Sequence, residues 1–489
     1  MSKHPLFLIV VFDALRPDMA TPELMPNLNR FMAEGVNFKN ARAVFPTSTR
    51  TNAAALATGS TPRRNGIIQN KYFDPNVFPD RIFKPFKTPD IEAAMAVYDG
   101  KLLSTPSLGD TVAGAGYSMA TVLSGSCGTA RLMDPNARER GRINLGFIDW
   151  EDSCPSDVVR KLVETHGPIP ESVRPNIEAI RVQTDMVIGS IYPEHQPDIT
   201  VLWFSEPDQT HHYHGVGSDK MAPAIRCVDN QFGRILEWRR LSGLEDRLQI
   251  IALSDHGHIT ARERIDVNAE AAKAGLVIGE HFADGADYAG YTSYSGSLRV
   301  RDRDPKRMAA LVDWLSHQPW CGMIFTPGGN GIEGCIPGTL DHASVLMDHP
   351  RTPEVFYIMR NDDAVFGDGI VGSTFYNGPY PAGGGTHGGL HEKELQIVMA
   401  AQGTMFKAGQ ESCHPAGIID ITPTILHALR LEQPKGSDGR VLTEALADYD
   451  EGPPAAETEV HTVERNGAVQ HLKFTRVGST TYLDAGWVE

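Results

Sequence analysis

The stretch Leu6-Phe7-Leu8-Ile9-Val10-Val11-Phe12-Asp13 decides the fold, because seven apolar residues run without interruption and stop at a carboxylate. This pattern predicts a strand that is buried on both faces, as the central strands of parallel sheets are. The run is too short to cross a membrane, and no cleavage signal follows it. Ligand sites in open α/β sheets lie at the carboxyl ends of strands, so Asp13 is the first candidate site residue.

Two later segments repeat the pattern. A helix-spaced apolar segment at 178–191 precedes the run Ile199 to Phe204, and another at 225–236 precedes the run Leu248 to Leu253. Both runs lead directly into polar clusters. The alternation of helix and buried strand predicts an α/β fold with a doubly wound, mostly parallel central sheet and helices on both faces.

The length of 489 residues exceeds that of a single compact domain. We predict an α/β catalytic core over 1–259 and 383–450, because the sequence between them changes character and fits a smaller inserted α+β cap, residues 260–382. Residues 451–489 are expected to form a C-terminal strand hairpin packed on the core, with Asn466-Gly467 as its turn.

The composition limits the possible partners. There are 45 basic and 61 acidic residues, a net charge of −16, which argues against an extended nucleic-acid surface. A small anionic substrate is still compatible with this charge when bound cations dominate locally. The six cysteines lack CxxC spacing, so we expect reduced thiols and a cytoplasmic protein without a membrane association. Homo-oligomer formation stays open.

The stretch Val44 to Gly59, VFPTSTRTNAAALATG, resembles a nucleophile loop followed by an alanine-rich helix that ends at Gly59. Thr49 lies near the predicted helix N-terminus, where free N–H groups and the helix dipole favour a phosphate and an alkoxide. The alternative is that Thr49 only caps the helix.

Acid and imidazole pairs follow the two later strands. Asp208 and His212 are four residues apart, so one helical turn directs both side chains at one point. Asp255 and His256 follow the next strand and leave it through a turn that Gly257 permits. Carboxylate with imidazole is a ligand mixture that suits zinc or another first-row divalent metal.

A glycine-rich segment, Gly383 to Gly389, supplies a further imidazole, His387, on backbone that can approach a metal closely. With Asp13, these residues give six possible ligands: Asp13, Asp208, His212, Asp255, His256 and His387. Six ligands suit two divalent metals about 4 Å apart that clamp the attacking and leaving oxygens of an in-line displacement. We expect Zn²⁺, with Mn²⁺ as the alternative.

These motifs, in this order, resemble the alkaline phosphatase superfamily, most closely its nucleotide pyrophosphatase/phosphodiesterase and phosphonoacetate hydrolase branches. The resemblance covers most of 5–260 and 383–445. It implies that Asp13, Asp255, His256 and the Thr49 oxygen hold one zinc, and that Asp208, His212 and His387 hold the other. It also implies that Asn52 and the Thr49 backbone N–H hold the oxygens of the transferred group, as an oxyanion site does.

The resemblance implies a phosphodiesterase with a phospho-threonine intermediate at Thr49. The phosphodiesterase branch often has an aromatic residue and then proline after the nucleophile, whereas Arg50 and Thr51 stand here. A cation at Arg50 would favour a substrate with extra negative charge, as in phosphomonoesters or phosphonates. Phosphonate hydrolase and phosphomonoesterase therefore remain alternatives. We expect a small phosphorylated or phosphonate substrate, with Arg50 and Tyr72 among the residues that contact it.

Other readings are weaker. A sulfatase needs a Cys or Ser in a C-x-P-x-R setting, and the segment 127–131 only partly matches that pattern. A phosphosugar mutase differs around the nucleophile. A catalytically silent metal-binding scaffold would not need Thr49. Phe73 and Tyr291, like Tyr72, are candidates for pocket walls, although ordinary packing explains them as well.

Overall fold

The computed structural model describes residues 4–366, 369–450, 452 and 454–489. Its largest sheet has eight strands. Five neighbours in it are parallel, in the spatial order Leu248–Leu253, Leu6–Phe12, Ile199–Phe204, Met119–Ser126 and Asn144–Ile148. Beyond Leu248–Leu253 the sheet continues with the antiparallel Met399–Gln402 and then with Val36–Phe38 and Gln410–Ser412.

The strand Leu6–Phe12 lies in the middle of this sheet and is buried on both sides. Its alternate side chains enter two separate cores, because successive residues of a strand point to opposite faces. Over one face lie the helices Thr49–Thr58, Thr88–Val97, Leu108–Gly114, Cys127–Met133 and Ile421–Ala428. Over the other face lie Pro26–Glu34, Ser156–His166, Ile177–Met186 and Met221–Leu241. The predicted doubly wound α/β fold is confirmed.

The chain between 260 and 382 forms much of two smaller sheets. The first has the strand order Leu340–Asp341, Cys321–Thr326, Val355–Met359, Ser295–Val300, Tyr288–Thr292 and Ile278–Gly279. The second has the order Asn361–Phe366, Ile370–Tyr376, Ile259–Arg264 and Gly385–Thr386. The helix Pro305–Ser316 packs on the first of these sheets and shares a third core with it.

This inserted part also packs against the segments that carry Thr49 and His387. The rings of Phe325 and Phe356 pack against Phe45, with centroids 5.7 and 5.6 Å away. The strand Ile259–Arg264 pairs directly with Gly385–Thr386, the residues that precede His387. The insertion therefore braces both the nucleophile loop and the glycine-rich segment, while the domain boundaries at 259 and 383 stay a prediction.

The C-terminal part is a three-stranded antiparallel sheet, Ala456–Arg465, Ala468–Val477 and Thr480–Val488. Asn466 and Gly467 join the first two strands with φ angles of 52° and 79°. Positive φ at both central residues is what a type I′ hairpin turn requires, which explains the Asn-Gly pair.

The remaining elements are short or lie between the sheets. The other helices are Pro62–Asn65, Val187–His195 in a π conformation, Asp208–His214, Val267–Lys273 and Glu392–Leu395, and the small strand pair is Ala41–Arg42 with Ala416–Gly417. Single turns of 3₁₀ helix are Pro17–Met19, Trp150–Asp152, Ala283–Gly285, Arg301–Arg303, His342–Val345, Ile418–Asp420 and Thr443–Ala445. Within the described residues, no helix combines the length and the apolar character that a membrane crossing needs.

Candidate active site

Three neighbouring parallel strands each deliver a carboxylate to the same edge of the central sheet. Asp13 follows Leu6–Phe12, Asp208 follows Ile199–Phe204, and Asp255 follows Leu248–Leu253. The backbone N–H of Asp208 donates to the carbonyl of Asp13 at 3.0 Å, which fixes two of these segments together. Residues more than 190 positions apart in sequence thus meet because their strands are adjacent.

The first group of acid and imidazole side chains consists of Asp13, Asp255 and His256. His256 Nε2 lies 3.3 Å from Asp255 Oδ2 and 3.7 Å from Asp13 Oδ1. Trp203 Nε1 donates to Asp13 Oδ2 at 3.0 Å, and the backbone N–H groups of Ala14 and His256 donate to Asp255 Oδ1 at 3.0 Å each. Each carboxylate therefore has one oxygen held and the other turned to His256.

The second group consists of Asp208, His212, His258 and His387. The distance from Asp208 Oδ1 to the imidazole Nε2 is 3.3 Å for His212, 2.9 Å for His258 and 3.8 Å for His387. The ligand atoms of all four residues lie within 4.8 Å of one another. His258 was not among the predicted ligands, although it stands two residues after His256 and the histidine-rich segment could have drawn attention to it.

Both groups are buried except for Asp208, which is partly exposed, and the charges of the two groups affect one another. Burial, together with the charges of Asp255 and Asp208, raises the pKa of Asp13 well above its usual value. Burial acts on Asp208 in the same direction, but His212 and His258 outweigh it and hold the pKa of Asp208 well below its usual value. Burial lowers the pKa of His387 well below the ordinary range, so its imidazole is neutral at pH 7.

These groups fit divalent metals by their own chemistry. Asp13 Oδ1 and Asp255 Oδ2 are buried and have no hydrogen-bond partner among the described residues. An orphaned carboxylate oxygen in the interior is costly unless a cation neutralises it, and two of them face one imidazole nitrogen here. His212, His256 and His387 each direct Nδ1 at a backbone carbonyl, which leaves Nε2 free to bind a metal.

Thr49 stands beside the first group. It is the first residue of the helix Thr49–Thr58, and its Oγ1 lies 3.3 Å from His256 Nε2. Ser48, and not Thr49, occupies the N-cap position, and it has an extended backbone. The cap alternative for Thr49 is therefore wrong, and the hydroxyl of Thr49 remains available to the site.

Thr47 connects the nucleophile loop to the glycine-rich segment. Its carbonyl accepts from His387 Nδ1 at 2.7 Å, its hydroxyl donates to the carbonyl of Gly389 at 2.9 Å, and Gly388 N donates to that hydroxyl at 2.9 Å. A Cβ at Gly385 would lie 2.3 Å from His258 Nδ1, so this segment needs glycine to approach the histidines closely.

The structure does not bring the amide of Asn52 into the site. Asn52 is fully buried, its Oδ1 accepts from Val44 N at 2.9 Å, and its Nδ2 donates to the carbonyls of Val44 and Ser48 at 3.4 and 3.2 Å. Asn70 reaches the site instead, since its Oδ1 accepts from the backbone N–H of Arg50 at 3.0 Å. Asn70 comes from an irregular segment, and nothing in the local sequence marked it.

Arg50 lies near the site, since its charge acts to lower the pKa of Asp13 against the larger effect of burial. Its guanidinium lies 5.3 Å from the ring centroid of Phe86 and within 3.5 Å of Ser126 Oγ. Lys71 Nζ lies 5.7 Å from the same ring centroid and 5.2 Å from that of Tyr291. No ion pair of Arg50 or Lys71 occurs among the residues that the structure describes.

The aromatic residues predicted as pocket walls divide into two kinds. Tyr72 is 1% exposed, packs edge-on against Phe83 and donates its hydroxyl to Gly66, so it belongs to the core and offers no surface to a substrate. Phe73 is also buried and packs against Phe282. Tyr291 is partly exposed beside Lys71, so it alone of the three is placed to contact a substrate.

The sequence of this chain matches a known protein family. The family model described as type I phosphodiesterase / nucleotide pyrophosphatase matches residues 7–315, which is more than half of the chain. The chain belongs to this family. The match contains nearly all of the strand that precedes Asp13, the nucleophile loop and both later acid–imidazole clusters, apart from His387.

Members of the type I phosphodiesterase / nucleotide pyrophosphatase family among curated proteins are distant relatives. The venom phosphodiesterase CdcPDE of Crotalus durissus collilineatus is 26% identical over 234 residues, 48% of this chain and 24% of the relative. Ectonucleotide pyrophosphatase/phosphodiesterase family member 3 of Mus musculus is 25% identical over 238 residues, 48% of this chain and 22% of the relative. The matched part of this chain thus spans about a quarter of these relatives.

Solved structures of the family show the same fold. Human ectonucleotide pyrophosphatase/phosphodiesterase 5 aligns with a TM-score of 0.61 at 18% identity, covering 91% of this chain and 100% of the other. An inactive form of the murine protein, in complex with AMP, aligns with a TM-score of 0.59 at 19% identity, covering 88% and 96%.

Proposed function

We propose that this protein is a metal-dependent phosphoric ester hydrolase, a phosphodiesterase of the nucleotide pyrophosphatase type, that attacks phosphorus with Thr49. The observation that carries the proposal is the position of Thr49 Oγ1, at the start of a helix and 3.3 Å from His256 Nε2. Membership of the type I phosphodiesterase / nucleotide pyrophosphatase family supports the reaction class.

The residues divide into two metal-holding sets. Asp13, Asp255 and His256 would hold one divalent cation, and Asp208, His212 and His387 the other. We favour zinc because of the mixed carboxylate and imidazole donors, with manganese as the alternative. When bound, such cations lower the pKa of a coordinated hydroxyl and stabilise negative charge on the leaving oxygen.

The chain itself supplies the nucleophile and the orientation. Thr49 Oγ1 forms the bond to phosphorus while the leaving group departs, an oxygen in the case of an ester or a phosphoanhydride. From a carboxylated phosphonate the leaving atom is carbon, whose electron pair is delocalised into the carboxylate and which then takes a proton from water. Water later cleaves the phospho-threonine. The backbone N–H groups of the first helical turn have no partner within the helix, so that of Thr49 can donate to an oxygen of the transferred group. Asn70 fixes the backbone of Arg50 at this helix start.

The substrate that we favour carries a second anionic group near the reacting phosphorus. Arg50 and Lys71 share the ring of Phe86, and the guanidinium nitrogen Nε of Arg50 is buried without an acceptor in the described chain. Two divalent cations already carry more charge than the three carboxylates, so these side chains are not needed to neutralise the metal site. A phosphonate with a carboxylate, and a phosphoanhydride, both meet this requirement, and a neutral diester substituent does not.

The decisive experiment assays the purified protein with zinc or manganese on bis-p-nitrophenyl phosphate, p-nitrophenyl phosphate, a phenylphosphonate ester, phosphonoacetate and p-nitrophenyl sulfate. Thr49→Ala should abolish hydrolysis. Thr58→Ala, at the other end of the same helix, should keep it. Preference for the sulfate ester, or unchanged hydrolysis by Thr49→Ala, would overturn the proposal.

The charge preference is tested with Arg50→Met and Lys71→Met. Each should lower kcat/KM for a doubly anionic substrate about 10-fold to 100-fold relative to bis-p-nitrophenyl phosphate, the range expected for a lost charge-assisted hydrogen bond. The exposed Lys84→Met serves as the control. A uniform loss on all substrates would contradict the assignment of these cations to the second anion.

We also propose a cytoplasmic location. All six cysteines are free, and four of them are buried in the reduced form. Fractionation of the native host, with activity followed in each fraction, tests this, and activity confined to an extracytoplasmic fraction would refute it.

A further inference from the structure

His258 occupies a distinctive position in the second group. It is fully buried, and its Nε2 lies 2.9 Å from Asp208 Oδ1, the shortest of the three imidazole contacts to that oxygen. Its backbone carbonyl accepts from the buried guanidinium of Arg16 at 3.0 Å, which anchors the segment that carries it. The ring is packed against the backbone of Gly385.

The other three histidines of the two groups have a different arrangement. His212 Nδ1 donates to the carbonyl of Gly385 at 2.8 Å, His256 Nδ1 to Gly257 at 3.1 Å and His387 Nδ1 to Thr47 at 2.7 Å. A proton fixed on Nδ1 leaves the Nε2 lone pair for a metal. His258 Nδ1 has no partner among the described residues, so nothing fixes its proton on that atom.

The role of His258 follows from a comparison of the nitrogen donors that bind the three carboxylates. One oxygen of Asp13 accepts from Trp203 Nε1, and one oxygen of Asp255 accepts from two backbone N–H groups. Asp208 differs in one respect, because its Oδ1 receives His258 Nε2 at 2.9 Å and also faces Nε2 of His212 and His387 at 3.3 and 3.8 Å. Of these three rings only His258 has no carbonyl partner for Nδ1 among the described residues, so its proton belongs on Nε2, where the carboxylate accepts it. Each acid thus has one oxygen oriented by a nitrogen donor.

We infer that His258 is a positioning residue, which donates its Nε2 proton to Asp208 and so fixes the carboxylate that, with His212 and His387, holds a divalent cation. The inference rests on the proposed function, because it concerns the same metal site. The competing arrangement makes His258 a fourth ligand of that cation, since all four donor atoms lie within 4.8 Å of one another. A fourth protein ligand would close the site to the leaving oxygen.

The test compares wild type, His258→Phe and His258→Gln, with His342→Phe as a control at a buried histidine outside the two groups. Zinc content per chain is measured after dialysis against excess zinc, and zinc affinity by competition with a chromophoric chelator. Circular dichroism and thermal unfolding verify that each variant is folded. His258→Gln is the second variant, because its amide can still donate to Asp208 if the phenyl ring is not tolerated.

Wild type should bind two zinc ions per chain. His258→Phe should still bind two, with the affinity of one site reduced about 10-fold to 100-fold, the usual effect of removing a group that orients a ligand. His258→Gln should recover much of that affinity, and His342→Phe should match wild type.

Two outcomes would overturn the inference. Loss of one whole zinc equivalent in both His258 variants would make His258 a ligand, and wild-type affinity at both sites in His258→Phe would leave it without a role at the metal. A wild-type protein that binds no divalent metal would instead remove the proposed function itself. The readout is metal binding, so the two failures are distinguishable.

Discussion

Two asparagines lie close to the start of the helix Thr49–Thr58, and their amides face different groups. Both polar atoms of the Asn52 amide form hydrogen bonds with the backbone of Val44 and Ser48, and these bonds close the nucleophile loop. Asn70 accepts from the N–H of Arg50 and donates to Tyr294 Oη at 2.9 Å. One hydrogen of the Asn70 amide remains for a substrate oxygen, so the role first predicted for Asn52 fits Asn70 better.

The corresponding prediction concerns kcat. Asn70→Ala should lower kcat about 100-fold, the scale of losing one donor to developing negative charge. Asn70→Asp should lose a similar factor, because it keeps the acceptor for Arg50 N–H and removes the donor. Steady-state kinetics on the best substrate of the panel measures both.

Asn52→Ala is the comparison variant, and its main effect should be on stability. It leaves the buried N–H of Val44 without its acceptor, so the free energy of unfolding should fall by about 1–3 kcal/mol. Full activity of Asn70→Asp would contradict the assignment of a donor role to Asn70.

At the scale of elements, the helix Thr49–Thr58 is held at both ends. Its first residue is Thr49, the proposed nucleophile, and its last turn ends at Gly59 with φ of +63°. The carbonyl of Gly59 accepts from Asp438 N and Gly439 N at 3.1 and 3.0 Å. These two hydrogen bonds fix the end of the helix to the segment that contains Asp438 and Gly439.

Gly59→Ala should be markedly destabilising. A Cβ at Gly59 would lie 2.7 Å from Pro423 Cδ and 3.2 Å from the carbonyl oxygen of Ile419, in addition to the cost of positive φ. Gly100 is the matched control, because its φ is +76° and a Cβ there meets nothing within 4 Å. Gly59→Ala should cost about 1–3 kcal/mol more than Gly100→Ala in urea unfolding. Equal losses would show that packing at Pro423 is not limiting.

At the scale of the whole molecule, Asp420 ties the C-terminal sheet to the core. It is fully buried and accepts from Tyr482 Oη at 2.7 Å, from Gly417 N at 2.8 Å and from Arg440 N at 2.8 Å. Tyr482 lies in the last strand, Thr480–Val488. Burial raises the pKa of Asp420 to about 6, although Arg440 and these donors oppose the shift.

This raised pKa predicts a pH dependence of stability. Between the unfolded pKa near 4 and the folded value of about 6, the folded chain binds more protons at Asp420 than the unfolded chain does. The stabilisation that protonated Asp420 contributes to the folded state is therefore lost as pH rises through 6. Asp420→Asn cannot ionise and lacks the effect. Between pH 5 and 7, wild type should lose about 1 kcal/mol of unfolding free energy relative to Asp420→Asn. Parallel pH curves for the two proteins in urea unfolding would contradict this.

Much of the framework follows from local sequence. The strands at Leu6–Phe12, Ile199–Phe204 and Leu248–Leu253 begin and end where the apolar runs do, because burial on both faces leaves little choice of side chain. The acids that follow them inherit their positions from the strands. Thr49 at a helix start and Gly59 at its end are likewise local features, set by chain geometry within one turn.

Contacts between segments that are distant in sequence could be identified only from the tertiary structure. Nothing in the sequence pairs His258 with Asp208, separates the roles of Asn52 and Asn70, or places Lys71 beside Phe86. These residues lie in loops without a repeating pattern, whose paths depend on packing against the insertion and the glycine-rich segment. The sequence by itself determined the sheet, the position of Thr49 at a helix start and the acids at the strand ends, because periodicity and burial act over a few residues. Only the folded chain decided which side chains orient them, because through-space contacts carry no local signature.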